Sequence, residues 1–408
     1  MRRRMLICLV VCAVVLGGAL GASGATKGKP VVIGCLIPTT GALSEHGAQA
    51  VRGIEMAIEE INAAGGMLGR PVEAKIVDNK YKPDVSVGMA DSLLYDHGAS
   101  FLNGCLITST TKAVSEWAKN KKMLFIGYGV SDFLTMEDGH RYFFRGAATA
   151  SIQQLGNVLN MRGKGFKKVW TLAPDYAYGH SSQKQFRENV RKIIPEIEVI
   201  GESWPPVDEK DFSPYITKIM SSGADALYSF LYGGTQIAFI KQATQFGLLN
   251  KIRYAGGDFT PVNVRPLGRE GAEGMLGYSQ YEWTLPDLPE NRAFNEKFEK
   301  RYGTKAYAFA AMQYDNLHML TAAVNKAGTI ETEAVIDAME KIKVATPYSK
   351  ETYYRACDHN ISVGLVIGET MYPPGCNFLA VQKNARYLEP EQAWPTCEEV
   401  AKARAAKK

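Results

Sequence analysis

Short apolar runs alternate with amphipathic segments along this chain, and they do so in two successive rounds. Val31 to Ile37 reads as a strand ended by Pro38-Thr39-Thr40-Gly41, and Val51, Ile54, Ile58 and Ile61 then recur at helical spacing until Gly65-Gly66. Val72 to Val77, Phe101 to Ile107 and Met123 to Ile126 are further strands, separated by helices through Val85-Met89-Leu93 and Val114-Trp117. A helix through Ile152, Leu155 and Leu159 leads to a break at Gly163 and Gly165, after which the pattern restarts. Strands at Val169 to Ala173, Ile197 to Ile200, Ala226 to Leu231 and Ile252 to Ala255 alternate with helices marked by Phe186-Val190-Ile193, Phe212-Ile216-Ile219 and Ile237-Ile240-Thr244. Such alternation predicts α/β architecture with parallel, doubly wound sheets, and two rounds predict two lobes of similar build. From about residue 290 the chain turns helical, through Phe294-Phe298-Tyr302, Phe309 to Ala323 and Val335-Met339. Short strands at Thr352 to Ala356, Val363 to Ile367 and Phe378 to Val381 need a sheet to join, and are expected to return to one or both lobes.

A length of 408 residues, 46% of them hydrophobic, suits about two domains with a core in each. The formal net charge is +5, and taking away Arg2, Arg3 and Arg4 at the N-terminus leaves +2 for the rest. A body so close to neutral removes the electrostatic case for binding nucleic acid. Those arginines precede an apolar run from Met5 to Leu16 and the small residues Ala22-Ser23-Gly24-Ala25, the pattern of a signal peptide cut after Ala25, with Ala22 as the alternative. The run is too short to cross a membrane, which takes about 20 residues in a helix, so the mature chain is expected to be exported and periplasmic. Export removes Cys8 and Cys12 and leaves five cysteines. Cys35 and Cys105 sit in strand-like apolar runs and read as buried thiols, while one disulfide is expected among Cys357, Cys376 and Cys397, the pair being open.

Ligands of doubly wound sheets bind beyond the carboxyl ends of the strands. Here those ends carry Thr39-Thr40, Thr108-Ser109-Thr110-Thr111, Tyr128-Gly129-Val130-Ser131, Asp175-Tyr176-Ala177-Tyr178, Tyr232 and Asp258. Hydroxyls beside helix N-termini suit a carboxylate, tyrosines suit an apolar or aromatic body, and one acid suits an ammonium. Each Ser or Thr alone reads as a helix cap, but the set, converging from both lobes, reads as a small-molecule cleft with His46 near its mouth to cover the ligand. Signatures of catalysis are missing: there is no phosphate loop, no G-x-S-x-G and no H-E-x-x-H, and the six histidines lack metal-ligand spacing. Neither an enzyme nor a metal or cofactor site is expected.

Ile33 to Gly47, Ala57 to Gly69, Gly104 to Ala113, Asp175 to Gly179 and Gly271 to Leu276 resemble, in order and spacing, the leucine/isoleucine/valine-binding protein family. The resemblance implies a bilobal periplasmic solute-binding protein of an ATP-driven importer, with no enzymatic activity. By position it assigns a carboxylate-binding hydroxyl to Thr108 and a carbonyl and hydroxyl pair to Gly129 and Ser131. Ligand-facing tyrosines fall on Tyr178 and Tyr232, and the acid that holds an ammonium falls on Asp258. Asp258 is one methylene shorter than the family's usual glutamate. Tyr128 replaces a small residue, which narrows the site or stacks on the ligand, and the ending from about Gly368 is longer than usual. The resemblance also implies a three-segment hinge with breaks near 147, 279 and 361. One lobe then holds 26–147 plus 279–361, and the other 148–278 plus 362–408. The expected ligand is a small amino acid with an apolar side chain, with an aromatic or other carboxylate, an amide or urea as the alternative. The expected partner is the membrane permease of an ABC importer, with the binding protein a monomer. An exported ligand-sensor subunit is the reading from another class.

Overall fold

The structure is a computed structural model and describes residues 26–175 and 177–407. The expected export signal, residues 1–25, and Tyr176 of the expected cleft lie outside the described residues. The first sheet is built from β1 (Val31–Ile37), β2 (Val72–Asp78), β3 (Phe101–Gly104), β4 (Phe125–Gly127) and β5 (Phe143–Arg145), in the order β2-β1-β3-β4-β5. Every pairing in it is parallel. Helices α1 (Ser44–Ala63), α2 (Pro83–Tyr95) and α3 (Thr108–Lys121) connect its strands. Strand β1 lies inside the sheet with both faces covered, which is why its sequence is apolar at nearly every position rather than alternating.

The second round contributes α4 (Ala150–Met161), β6 (Lys168–Leu172), α5 (Ala177–Ile193), β7 (Glu198–Ser203), α6 (Ser213–Ser221), β8 (Ala226–Ser229), α7 (Gly233–Gln245), β9 (Arg253–Asp258), α8 (Pro261–Val264) and β10 (Leu276–Ser279). Helices α9 (Pro289–Tyr302), α10 (Ala308–Ala327) and α11 (Thr332–Met339) and a hairpin of β11 (Val344–Thr346) and β12 (Ser349–Thr352) follow. The chain ends with β13 (Leu365–Met371), β14 (Ala380–Leu388) and α12 (Cys397–Ala406). The second sheet runs β14-β13-β10-β9-β8-β6-β7.

Packing divides these elements into two bodies. Ile33, Cys35 and Ile126 of the first sheet share one apolar core with Phe294, Phe298, Leu317, Leu320 and Val335, so α9 to α11 return to the first body. There α1 and α10 approach closely enough that a Cβ on Gly53 would lie 2.1 Å from the Ala310 carbonyl oxygen. Leu172, Phe239, Tyr254 and Met275 form the second core together with Val366, Leu379 and Val381 from the end of the chain. The chain therefore passes between the bodies three times: after β5, after β10 and before β13.

Several local expectations change. The second sheet is mixed, because β13 pairs antiparallel to β10 and β14 antiparallel to β13. β13 arrives by direct return from the first body and β14 follows it as the second arm of a hairpin, with no crossover helix to impose a parallel direction on either. β3 stops at Gly104 because Gly104 and Cys105 both have positive φ, 117° and 58°, which turns Leu106 and Ile107 out of the sheet. The strand expected at Thr352 to Ala356 ends at Thr352, and only Tyr354 makes an isolated bridge, to Ile361. β5 and β10 have no counterpart in the sequence reading, being only 3 and 4 residues long.

The disulfide joins Cys357 to Cys397, with Cα atoms 5.8 Å apart, and Cys376 is free. Cys35 and Cys105 are fully buried thiols, and that burial pushes both up to about 12. Helix α12, which the sequence reading groups with the second body, places Arg404 on the Thr135 and Met136 carbonyls beside the first sheet. Among the described residues no helix is long and apolar enough to cross a membrane.

Just past β10, at the second passage, Glu282 is buried and accepts hydrogen bonds from the Val381 amide at 3.3 Å and the Gln382 side chain at 3.1 Å. Burial pushes its carboxyl up to about 8. Folding then disfavours ionisation, so stability declines as pH rises from the ordinary value of 4.5 to about 8. Glu282→Gln removes that decline. Between pH 5 and pH 8 the parent should lose at least about 1 kcal/mol relative to the variant, read from urea unfolding at a series of pH values.

Candidate ligand-binding cleft

Three strand ends of the first sheet and three of the second carry the expected site residues, and the structure divides them by what their polar atoms already do. Thr110 and Thr111 are fully buried, and their hydroxyls donate to the carbonyls of Ile107, Cys105 and Tyr128, so both are structural. Thr39 and Thr40 are exposed, and both donate to Asp78. Thr108, the first residue of α3, is half-buried with its hydroxyl 3.2 Å from that of Ser131. Amide groups in the first turn of a helix have no intrahelical acceptor, so this hydroxyl pair stands beside available N–H donors.

Gly129 and Ser131 follow β4 in a loop fixed from beneath. Arg145 is fully buried, and its guanidinium donates to the Val130 carbonyl at 2.9 Å, the Ser131 carbonyl at 2.8 Å and the Thr135 hydroxyl at 2.9 Å. Gly129 packs against Leu134, whose Cδ1 would lie 2.5 Å from an added Cβ, so a larger residue there would have to displace that side chain. Tyr128 is buried, donates its hydroxyl to Gln280 at 2.9 Å and lies with its ring centroid 5.0 Å from that of Phe309.

On the second body, Asp258 ends β9 and is 9% exposed. One oxygen accepts from the Thr260 amide at 2.9 Å and the Thr260 hydroxyl at 2.5 Å, and the other from the Gln280 amide group at 2.8 Å. All three donors are uncharged. Burial raises the carboxyl above its ordinary value, and these hydrogen bonds oppose the rise. Tyr178 and Tyr232 meet edge to face, with ring centroids 5.7 Å apart. Burial pushes the Tyr178 phenol up to about 12, with the charges of Tyr232 and Asp258 adding to it.

Several hydrogen bonds join the bodies here, among them those from the Ala150 amide to the Val130 carbonyl at 2.7 Å and from the Ser151 hydroxyl to the Asp132 carboxyl at 3.0 Å. Tyr128 reaches Gln280, and the His46 Nε2 atom lies 2.9 Å from the Asn263 side-chain oxygen, while the His46 ring meets Phe309 edge-on at 5.0 Å. Thr108 with Ser131, Tyr128 with Asp258 through Gln280, and Tyr178 with Tyr232 are thus brought together. Gln280, Phe309, Thr260 and Asn263 escaped the sequence reading. Gln280 follows the short strand β10, and Phe309 shares the apolar periodicity of α10. A metal at Cys357-Asp358-His359 is disfavoured by the chemistry there. Cys357 is in the disulfide, Asp358 pairs with Arg355, and His359 lies between the Phe143 carbonyl and Glu340.

A model of the periplasmic binding protein family matches residues 30–370. The leucine-, isoleucine-, valine-, threonine- and alanine-binding protein of Pseudomonas aeruginosa is 25% identical over 317 residues, 76% of this chain and 82% of its own length. Two solved structures share the fold. An amino acid ABC transporter substrate-binding protein from Pseudomonas fluorescens superposes with a TM-score of 0.81 at 22% identity, covering 91% of this chain and 98% of its own. An ABC transporter solute-binding protein from Rhodopseudomonas palustris, in complex with 3,4-dihydroxybenzoic acid, does so with a TM-score of 0.75 at 21% identity, covering 89% and 99%.

His46 ties pH to this geometry. Burial lowers its pKa from 6.5, with the Asn263 hydrogen bond opposing. Its contribution to stability is therefore complete above 6.5 and is lost as pH falls toward the lowered folded value. His46→Gln, which can still reach Asn263, should lose less stability than the parent between pH 7 and pH 5, read as melting temperature against pH.

Proposed function

The chain belongs to the periplasmic binding protein family, and on that premise we propose that it captures a small amino acid with an apolar side chain and delivers it to the permease of an ABC importer. Asp258 carries this reading. It is a nearly buried carboxyl whose hydrogen-bond donors are all neutral; among the described residues no Lys or Arg pairs with it, and His46, whose charge would favour its ionised form, is itself lowered from 6.5 by burial. A buried charge without a counter-charge is costly, and the α-ammonium of an amino acid brings the missing positive charge with it. Thr108, Ser131 and the first amides of α3 would receive the α-carboxylate, and Gly129 would offer its carbonyl to the ammonium. Tyr178 and Tyr232 would enclose the ligand from the second body, with His46 and Tyr128 covering it from the first. A ligand touching both bodies favours the closed arrangement over the open one, and the importer reads that difference.

A second reading has its own support. Tyr128, Phe309 and His46 form a continuous aromatic wall, which suits an aromatic carboxylate lacking an amino group. Amides and urea belong with this alternative, and an exported sensor subunit would use the same cleft without feeding transport.

The test is a thermal-shift screen of mature protein freed of ligand by unfolding and refolding, against L-amino acids, their deaminated acids, simple amides, urea and aromatic carboxylates. A ligand at about 100 times its dissociation constant adds about 2.7 kcal/mol. Apolar L-amino acids should raise the melting temperature in the parent and fail to do so in Asp258→Asn, whose ligand-free melting temperature should not fall. Shifts confined to deaminated or aromatic acids, equal in parent and variant, would overturn the ammonium role of Asp258.

A further inference from the structure

The loop that carries Gly129 and Ser131 is gripped at both ends of its length by guanidinium groups. Arg145 holds the carbonyls of residues 130 to 132 from beneath. Farther along, the half-buried Arg404 of α12 donates Nη2 to the Thr135 carbonyl at 2.9 Å and Nε to the Met136 carbonyl at 3.2 Å. Those carbonyls follow the short helical turn at Asp132–Leu134; the Met136 carbonyl also accepts from the Gly139 amide at 3.1 Å, and the guanidinium adds a charge-assisted bond to each. Gly139 packs so tightly on Arg404 that a Cβ there would collide with the guanidinium, and Lys407 pairs with Asp138.

Helix α12 is itself anchored at its first turn. Cys397 is covalently bound to Cys357, and Thr396 and Glu399 form a reciprocal cap. Arg355, beside the disulfide, donates to the Pro395 carbonyl at 2.8 Å and lies over the Trp394 ring at 4.7 Å. Two residues beyond Asp358, Asn360 accepts from the Thr135 hydroxyl at 3.1 Å. Covalent, charge-assisted and packing contacts thus converge on residues 135–139, next along the chain from the ligand loop. We propose that Arg404 is a positioning residue for that loop, and that α12, clamped by the Cys357–Cys397 bond, governs how tightly the cleft holds its ligand. The loop is ordered before the ligand arrives, so binding need not supply the ordering free energy, and release of the brace appears chiefly as faster dissociation. The link to affinity rests on the functional reading above; the brace itself does not.

The test uses the full mature chain as parent, Arg404→Ala, Arg404→Lys, the double variant Cys357→Ser/Cys397→Ser, and Lys402→Ala, an exposed position on the same helix, as control. Amide hydrogen exchange of residues 129–136 is followed in ligand-free protein, with β9 as the internal reference, and affinity for L-leucine is measured by calorimetry. Arg404→Ala and the double serine variant should exchange at least about tenfold faster in 129–136 with β9 unchanged, and should bind L-leucine at least about tenfold more weakly. Arg404→Lys should recover part of both, and Lys402→Ala should match the parent. Unchanged exchange in Arg404→Ala, or equal loosening of β9, overturns the brace, and faster exchange with parental affinity overturns its role in binding. A parent that ignores L-leucine counts against the amino-acid reading, and exchange alone then decides the brace.

Discussion

Arg145 stands where the chain leaves the first sheet, and its burial organises the ground around the cleft. Its side chain satisfies carbonyls of a loop that has no neighbouring strand to pair with. Its backbone pairs with the third passage: the Arg145 amide donates to the His359 carbonyl at 2.9 Å, and the Ile361 amide donates to the Arg145 carbonyl at 3.1 Å. One residue therefore fixes the loop of Ser131 and fastens the first passage to the third. Taking a guanidinium out of water is expensive, and burial lowers this one to about 10, against the charges of Asp132 and Asp358. The planar fork repays the cost in geometry, because several fixed acceptors are held at once by a rigid donor set.

Electrostatically the two walls are unlike. The first presents hydroxyls and a helix N-terminus, which favour negative charge; the second presents Asp258, which favours positive charge. On the proposed reading, a ligand bearing both charges would fit such a pair of walls in one orientation. Beside the Ser151 bond to Asp132, the side chains that link the bodies include the neutral pairs Tyr128 to Gln280 and His46 to Asn263. Bonds of this kind contribute about 0.5–1.5 kcal/mol each, small enough for thermal opening and for a ligand to shift the balance.

The alternation of apolar runs and helical periods made both sheets legible, because strands buried on two faces leave an unbroken apolar signature. β1 has the bounds expected of it, and each helix in the rounds falls where its period lies. What the pattern could not carry was local. β5 and β10 are too short to show a period, and Gln280 was hidden with β10. The antiparallel direction of β13 depends on where the chain arrives from, which no local window contains. Family resemblance pointed to Thr108, Ser131 and Asp258, while the side chains that occupy their polar atoms, Thr260 and Gln280 above all, come from segments that read as unremarkable loop. Phe309 read only as part of a helical period, and its ring packs against those of both His46 and Tyr128.

The mixed second sheet bears on time as well as shape. Leu276 of β10 pairs with Glu369 of β13, and Val366, Leu379 and Val381 complete a core whose other members, from Trp170 to Met275, all precede the helices that return to the first body. Closing so long a loop comes before any reward in contacts, which slows folding. A half-emerged chain also cannot finish that core, since the strands that seal it come near the end. For a chain of a periplasmic family, whose members act beyond the membrane, a core that cannot be sealed before its last strands are available would favour passage in an unfolded state.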